Sequence, residues 1–345
     1  MNTKGIALFV LLSFTLVSLA SCNQTKSEED RNAKPQENKI EIGVIFDSFL
    51  IERWQRDRDA FVTKAQNELG ANVNIQNANG DVKEQEQLIN YFIGKKVDVL
   101  VIVPIDCEAI TKAVKRAKEA GIKVIAYDRL IKEANVDLYI TFDNIKVGQL
   151  MGKTMSEHLN TNETVFMMCG PTTDNNVSLV GKGFLQEIEK NKLQVVETKN
   201  ASGWLAESGY EDINEYLNAN KSVNGIMCGN DGLAGQVITA LSEHQLAGKV
   251  CVVGQDADLD ACQRIVEGTQ TMTVYKPFSK LADLAASYAI KLAKGEELPV
   301  NKTFSDGKYS VPYVGLEPIA ITKENMNMVI DDGFHLKEDI YMNVK

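Results

Sequence analysis

The run Val97-Asp-Val-Leu-Val-Ile-Val-Pro104 decides the fold, together with the next stretch of chain: helical spacing over Ala109–Ala120, a stop at Gly121 and a second apolar run, Val124-Ile-Ala-Tyr127. A continuous apolar run is what a strand covered on both faces requires, and that arrangement belongs to parallel sheets. The unit repeats in both directions. Toward the N-terminus, Ile40–Phe46 reads as a strand, Glu52–Leu69 as a helix, Val73–Gln76 as a strand and Asp81–Ile93 as a helix. Beyond Tyr127 come a strand at Leu138–Thr141 and a helix from Val147. The pattern then restarts with strand–helix pairs at Thr164–Met168 and Val177–Lys190, Leu193–Thr198 and Leu205–Asn218, Gly225–Cys228 and Leu233–Glu243, Val250–Val253 and Leu259–Glu267, and Met272–Tyr275 and Pro277–Ala293. Such alternation predicts an α/β protein with helices on both faces of parallel sheets. The body is about twice the usual domain size, and it has more strands than one compact sheet usually holds. Two similar α/β lobes are the expectation, with a (β/α)₈ barrel as the runner-up.

The first 22 residues are set apart from this body. Lys4 precedes an apolar run, Ile6 to Leu19, which is shorter than the ~20 residues of a membrane span. It ends in Leu19-Ala-Ser-Cys22, the small-residue ending of a secretory signal. The Leu-small-small-Cys ending resembles the bacterial lipobox, in which the cysteine (here Cys22) becomes the lipid-bearing first mature residue. Residues 23–38 carry one apolar side chain, an alanine, and read as a flexible tether with a reach of roughly 20–25 Å.

The 345-residue chain has a net charge of −10, one unit more negative once Lys4 leaves with the signal. An acidic body argues against nucleic acid and against anionic lipid surfaces as partners, so the only membrane link expected is the lipid. Besides Cys22, the five cysteines (Cys107, Cys169, Cys228, Cys251, Cys262) are odd in number and show no short paired spacing. They read as buried small hydrophobes rather than a disulfide framework.

Ligands of open α/β sheets bind beyond the carboxyl ends of the strands. Nearly every strand end here carries an Asp, Asn, Arg or Lys: Arg53 and Trp54, Asp128 and Arg129, Asp174 and Asn176, Asn230 and Asp231, Gln255, Asp256 and Asp258, then Lys276. The two tryptophans, Trp54 and Trp204, each follow a strand, one in each half, among polar neighbours. Two readings stand. Each Trp caps its own lobe's core, or the pair forms a flat apolar clamp for a small polyhydroxylated ligand. Asp106, Asp231 and Asp258 are also well placed as helix N-caps. Asp128 followed by Arg129 suits hydroxyl recognition, since neighbouring carboxylate and guanidinium orient one another.

Catalytic and metal signatures are weak. His158, His244 and His335 lack ligand spacing. Asp256-Ala-Asp-Leu-Asp260 with Glu267 resembles a calcium loop but has Ala261 where that loop needs Gly. There is no Gly-x-Ser-x-Gly, no P-loop lysine motif and no dinucleotide glycine fingerprint. No metal, no cofactor and no enzymatic activity are expected.

Several strings then coincide with one family: Glu52-Arg-Trp-Gln-Arg-Asp-Arg-Asp59, Gln76-Asn-Ala-Asn-Gly80, Val97–Pro104, Ala126-Tyr-Asp-Arg129, Phe142-Asp-Asn144, Asp174-Asn-Asn176, Gly254-Gln-Asp-Ala-Asp-Leu259, Gly268–Pro277 and Asp332-Gly-Phe-His335. On these the chain resembles the periplasmic sugar-binding proteins of bacterial ABC transporters, ribose/galactose type, and in particular their xylose branch. The resemblance implies a type I periplasmic binding protein fold: two Rossmann-like lobes joined by a three-segment hinge, with crossings near Phe142–Asn144, Thr273–Lys276 and Tyr309–Tyr313. It divides the body into a first lobe (39–142 and 276–310), a second lobe (143–275 and 311–335) and a tail (336–345). It implies ligand contacts from Arg53, Trp54, Asp128 and Arg129 of the first lobe and Asp174, Asn176, Trp204, Asn230 and Asp256 of the second, with Lys276 at the second crossing. The charged members number three of each sign, which suits a neutral sugar. Around Trp204 only Gly203-Trp-Leu with Glu207 matches, and Ser48-Phe-Leu50 is less polar than the family pattern.

The implied function is capture of D-xylose or a related monosaccharide by a monomeric, membrane-anchored lipoprotein outside the cytoplasm, in the periplasm or at the cell surface, and delivery to ABC permease subunits. A sensory subunit feeding a membrane histidine kinase uses the same closure and stays open as an alternative. An enzyme acting on a sugar is the third possibility. A cytoplasmic repressor with the same lobes would need an N-terminal helix-turn-helix where this chain has a signal sequence.

Overall fold

A computed structural model describes residues 39–344; the signal, Cys22 and the tether lie outside the described residues. Two mainly parallel sheets carry the body. The first is built from β1 (Glu41–Phe46), β2 (Asn72–Asn77), β3 (Val99–Ile102), β4 (Lys123–Tyr127), β5 (Leu138–Phe142), β11 (Thr303–Ser305) and β12 (Ser310–Leu316), in the order β11-β12-β5-β4-β3-β1-β2. The second is built from β6 (Thr164–Cys169), β7 (Gln194–Asn200), β8 (Gly225–Cys228), β9 (Cys251–Gln255), β10 (Met272–Tyr275) and β13 (Ile319–Ile321), in the order β13-β10-β9-β8-β6-β7. Both contain the doubly wound order 2-1-3-4-5. Their switch points therefore lie between β1 and β3 and between β6 and β8, where crevices open at the carboxyl ends. The two-lobe expectation holds and the barrel is excluded.

The helices are α1 (Arg53–Val62), continued as a π-helical turn to Glu68, then α2 (Val82–Lys95), α3 (Thr111–Glu119), α4 (Asn144–His158), α5 (Asn175–Ile188), α6 (Glu207–Asn218), α7 (Asp231–Glu243), α8 (Leu259–Glu267), α9 (Phe278–Ala293), α10 (Asn327–Asp331) and α11 (Lys337–Ile340). Each sheet has an apolar cluster on either face, as the continuous runs require. Phe46, Val101 and Ile125 face the layer that includes α9, and Leu100, Ile102 and Val124 face the other. In the second sheet Phe166, Ile226 and Val252 face one side, and Val165, Met227 and Val253 the other. All four residues of β3 are at most 1% exposed, and burying each such side chain contributes about 1.5–3 kcal/mol.

The chain passes from β5 of the first sheet into α4 under the second. It returns from β10 of the second sheet into α9, which packs on the first. The last passage differs from the expectation of Tyr309–Tyr313. Residues 311–316 belong to the first sheet: β12 pairs in parallel with β5 from Tyr313 to Leu316, and the switch comes only between Leu316 and Ile319. Pro312 is what hid this strand, because a proline argues against a strand interior. Here it stands opposite Thr303 in the short β11–β12 hairpin, before the pairing with β5 begins. The amide of Asp143 donates to the Leu316 carbonyl at 2.9 Å, which ties the first passage to the third.

α4 and α5 touch backbone to backbone. A Cβ added at Gly148 would lie 1.9 Å from the Val180 carbonyl oxygen, and one added at Gly183 would lie 2.0 Å from that of Ile145. Neither oxygen can move without bending its helix. Gly183→Val should therefore cost about 3 kcal/mol, the upper part of the usual overpacking range. Gly181→Ala, on the same helix with its nearest neighbour at 3.8 Å, should be neutral or slightly stabilising. Urea unfolding midpoints of the two variants check this, and equal midpoints would contradict the close-approach account.

Candidate functional site

The carboxyl ends of both sheets face one cavity. All ten residues singled out from the sequence line it: Arg53, Trp54, Asp128, Arg129, Asp174, Asn176, Trp204, Asn230, Asp256 and Lys276. Ile51, Asn144, Val177 and Gln255 complete the lining.

Its floor is a lattice of buried charges. Arg53, in the first turn of α1, donates to both oxygens of Asp57 at 3.3 Å and to Asp128 Oδ2 at 3.0 Å, and lies 3.7 Å from Asp256 Oδ1. Burial opposes its charge, but Asp128, Asp57 and Asp256 together outweigh that and hold its pKa well above the ordinary value. Asp57 also accepts from the Tyr127 hydroxyl. Burial likewise works against ionised Asp128, yet Arg53, Lys276 and Arg129 pull its pKa below the usual carboxylate value, so it stays charged. Arg129 reaches Asp47 Oδ2 at 2.8 Å, the Pro104 carbonyl at 3.2 Å and Asp174 Oδ2 at 2.8 Å. Burial raises the pKa of both Asp47 and Asp174, with Arg129 opposing it. Lys276 pairs with Asp256 at 2.9 Å.

Asp47 and Asp57 were missed from the sequence. Their addition makes five carboxylates against three cations, rather than three of each sign. Asp47 carried a usable signal, since it is the first residue after β1. Asp57 had none beyond its place one turn after Arg53, and Asn144 was visible only as the end of the string Phe142-Asp-Asn144 at the first crossing. Ile51 and Val177 look like ordinary apolar residues.

Both tryptophans pack against their own lobe's core, and both line the cavity. Trp54 is 2% exposed, packs within the core of the first sheet, and carries the Arg53 guanidinium 4.4 Å above its ring, a cation–π arrangement. Trp204 is half-buried, and its six-membered ring presses on two glycines: a Cβ at Gly170 would lie 2.2–2.5 Å from it, and one at Gly229 3.2 Å. Neither indole nitrogen has a hydrogen-bond partner in the protein, nor does Gln255 Oε1, although all three atoms are buried. Leaving such an atom unpaired costs about 1–3 kcal/mol, so the lining is suited to a ligand that brings donors and acceptors.

The backbone aims these groups at some cost. Asp128, Trp204 and Asp256 have φ of +61°, +63° and +102°, a region L-residues rarely occupy, with a strain of roughly 1–3 kcal/mol each. Other groups serve helices as well as the cavity. Asp174 accepts from the Asn176 amide at 2.9 Å to cap α5, and Asn230 accepts from Leu233 N at 2.9 Å to cap α7.

The capping expectations are not met. Asp106 accepts from the amides of Glu108 and Ala109 at 2.7 and 3.0 Å and so closes the turn that precedes α3, whose N-cap position is Ile110. Asp258 stands at the start of α8, but its side chain makes no cap bond. Asp231 is not a cap, because Asn230 takes that role. Asp231 is instead fully buried and receives bonds from Thr273 Oγ1 at 2.6 Å and Gln270 Nε2 at 2.8 Å, while burial raises its pKa to about 7. Among the described residues no cluster of His, Cys, Asp and Glu has the form of a metal site, and the five cysteines are free and buried.

The cavity bridges the lobes. Asn176 of α5 donates to the Asp128 backbone oxygen at 3.0 Å and accepts from the Tyr139 hydroxyl at 3.2 Å, and the Cys107 amide donates to Thr173 O at 3.0 Å. Side chains from both sheets thus close over one space.

Comparison with known proteins bears on this arrangement. Residues 42–297 match the family described as Periplasmic binding protein domain. The chain is 45% identical over 308 residues to the D-xylose-binding periplasmic protein of Haemophilus influenzae, covering 88% of this chain and 92% of that one. It is 41% identical to the D-xylose-binding periplasmic protein of Escherichia coli K12, over 99% and 100% of the two chains. Among solved structures it is similar to a carbohydrate transporter solute-binding protein from Chloroflexus aurantiacus in complex with D-glucose, with a TM-score of 0.80, 26% identity, and coverage of 87% of this chain and 98% of that one. The chain belongs to the periplasmic binding protein family, type I, and has its closed two-lobe architecture.

Proposed function

We propose that this protein is a lipid-anchored, extracytoplasmic substrate-binding protein that encloses D-xylose, or a closely related monosaccharide, between its lobes and delivers it to an ABC permease. The observation that carries the reading is the cavity lining. Two indoles from opposite lobes, three buried polar atoms without partners and a lattice of paired charges surround one space. Indole faces suit the C–H faces of a sugar ring. Carboxylates accept from its hydroxyls, and guanidinium, ammonium and amide groups donate to them. Relatives at 41–45% identity that are named for D-xylose binding support the choice of sugar. Capture requires only closure of the lobes around the ligand, with no covalent step. Under this reading Cys22 carries the lipid and residues 23–38 tether the body to the membrane.

A calorimetric panel of pentoses and hexoses tests the sugar assignment, with D-xylose expected to bind tightest. Asp128→Asn keeps the side chain's shape but removes a charge shared by Arg53, and should weaken D-xylose binding at least about tenfold, since a hydrogen bond to a charged group is worth about 1.5–3 kcal/mol. Asp106→Ala, which alters only an exposed turn, should leave affinity unchanged. Equal effects of the two changes would remove Asp128 from the site.

Gly170→Ala tests the second aromatic face. The added methyl occupies the seat of the Trp204 ring, so the indole must tilt toward the cavity. D-xylose affinity should fall at least about tenfold, the equivalent of 1.4 kcal/mol, while the unliganded protein melts close to wild type. An unaltered affinity would show that the Trp204 face takes no part in binding.

The anchor is checked separately. Cys22→Ser should move the protein from the membrane fraction to the soluble fraction of cells expressing the full chain. Unchanged fractionation would place the attachment elsewhere.

A further inference from the structure

The string Asp332-Gly-Phe-His335 lies outside the cavity lining. The Tyr275 hydroxyl donates to the Asp332 carboxylate, and the Phe334 ring packs on Tyr275 with centroids 5.0 Å apart. This seats the segment in the apolar cluster that also holds Ile265, Ile321 and Val329 on the second lobe. His335 is 5% exposed. Its Nε2 lies 2.8 Å from the Ala257 carbonyl oxygen, which can only accept, so Nε2 carries the proton. Its Nδ1 lies 3.3 Å from Arg56 Nη2, which can only donate, so Nδ1 must be bare. The two neighbours therefore define the neutral imidazole in one tautomer. Arg56 also donates to the Phe334 carbonyl, and its guanidinium lies 4.7 Å from the Phe334 ring centroid.

Arg56 belongs to the first lobe and all these partners to the second. It sits on α1, one turn beyond Arg53 and two residues after Trp54. One short rigid helix thus presents Arg53 and Trp54 to the cavity and Arg56 to the far lobe's outer rim.

We propose that Arg56 and His335 form a latch outside the sugar cavity, which engages as the lobes close and sets how fast the enclosed ligand is released. This rests on the reading of the cavity as a sugar site that opens and closes.

The latch is sensitive to acid in a definite direction. The groups facing His335 are Arg56 of α1, Glu52 at its N-cap, Asp339 of α11 and the Ala257 carbonyl. Burial holds the imidazole's pKa below its ordinary value; the Ala257 bond partly opposes this and Arg56 adds to it, while Glu52 and Asp339 pull weakly the other way. Opening takes Arg56 away and lets Nδ1 accept a proton more readily. Because the histidine's pKa is depressed in the closed form, the latch's contribution is fully present above the open-form pKa. It is lost as pH falls through that value toward the closed-form one.

Stopped-flow release of D-xylose from the mature protein, followed by tryptophan fluorescence, tests this. Arg56→Ala should speed release roughly tenfold at pH 7.5, the scale of one hydrogen bond to a charged group, with the association rate within about twofold of wild type, as expected when an interaction acts after encounter. Should that variant fold poorly, Arg56→Lys keeps the charge without the fork and should give an intermediate rate. His335→Gln can still donate to Ala257 and accept from Arg56 but cannot titrate. It should keep wild-type release at pH 7.5, and its release should accelerate at least about threefold less than wild type on going to pH 5.5. A release rate unchanged in Arg56→Ala and Arg56→Lys overturns the latch. Coincident pH profiles for wild type and His335→Gln overturn the histidine's part in it. If neither D-xylose nor any other sugar of the panel binds the wild type, the sugar reading falls and the latch's role in release falls with it.

Discussion

One guanidinium is shared between the lobes. Arg129 pairs with Asp47 of its own lobe at 2.8 Å and with Asp174 of the other at 2.8 Å. All three side chains are less than a tenth exposed. A buried charge is tolerable only when paired and hydrogen-bonded, and removing one partner costs far more than the pair itself contributes. Asp174 has its paired cation only when the lobes are together. Apart, water must solvate it; together, Arg129 does. The closed arrangement therefore exchanges solvation for pairing across the cleft, and the same exchange recurs where Arg53 reaches Asp256 and where Asn176 docks on Asp128. Such exchanges come close to balancing.

The repeated topology supplies the geometry for these pairs. Each sheet runs 2-1-3-4-5, so each presents a crevice at its carboxyl edge, and the passages at Asp143, Lys276–Pro277 and Glu317–Pro318 set the two edges face to face. Within the loops the chain accepts left-handed backbone at Asp128, Trp204 and Asp256. A loop of relaxed conformers would spread these side chains over many directions. Buried hydrogen bonds and the packing of Trp204 on Gly170 hold them in one, so the strain appears as preorganisation of the cavity rather than as disorder.

Much of this was legible in the sequence, for physical reasons that differ between elements. Fully buried parallel strands such as Val99–Ile102 announce themselves, because both faces must be apolar. Residues at their carboxyl ends can be found by position, which picks out Asp231 and Asp258 as well as the cavity residues; the family resemblance narrowed them to the ten that meet in one cavity. The C-terminal strands β11, β12 and β13 were not legible. β11 and β13 have three residues each, β12 is interrupted by Pro312, all are partly exposed, and they owe their place to pairing with β12, β10 and β5 respectively rather than to any periodicity of their own. Asp57 was also hidden, because a carboxylate within Gln55-Arg-Asp-Arg58 has the look of a solvated helix face. Only the fold reveals that it lies beneath Arg53 and beside Tyr127. Asp231 shows the same limit from the other side: its position predicts a cap, but neighbouring Asn230 has the side chain that reaches Leu233 N.

The charge lattice also bears on the kind of ligand that fits. Five carboxylates and three cations line or underlie the cavity, and every cation is already engaged: Arg53 with Asp57 and Asp128, Arg129 with Asp47 and Asp174, and Lys276 with Asp256. An anionic ligand would have to take a cation from one of these pairs and leave a carboxylate buried without its partner, a cost of about 3–5 kcal/mol. A neutral hydroxyl imposes no such exchange. It donates to a carboxylate lone pair the cation does not use, and accepts from an N–H the carboxylate does not use, so one ligand atom extends the lattice without breaking a pair. The unpaired indole nitrogens and Gln255 Oε1 add positions of the same kind. The excess of acid over base is therefore compatible with a neutral polyol and hostile to phosphate or carboxylate, and it is eased by the burial that raises the pKa of Asp47, Asp57 and Asp174.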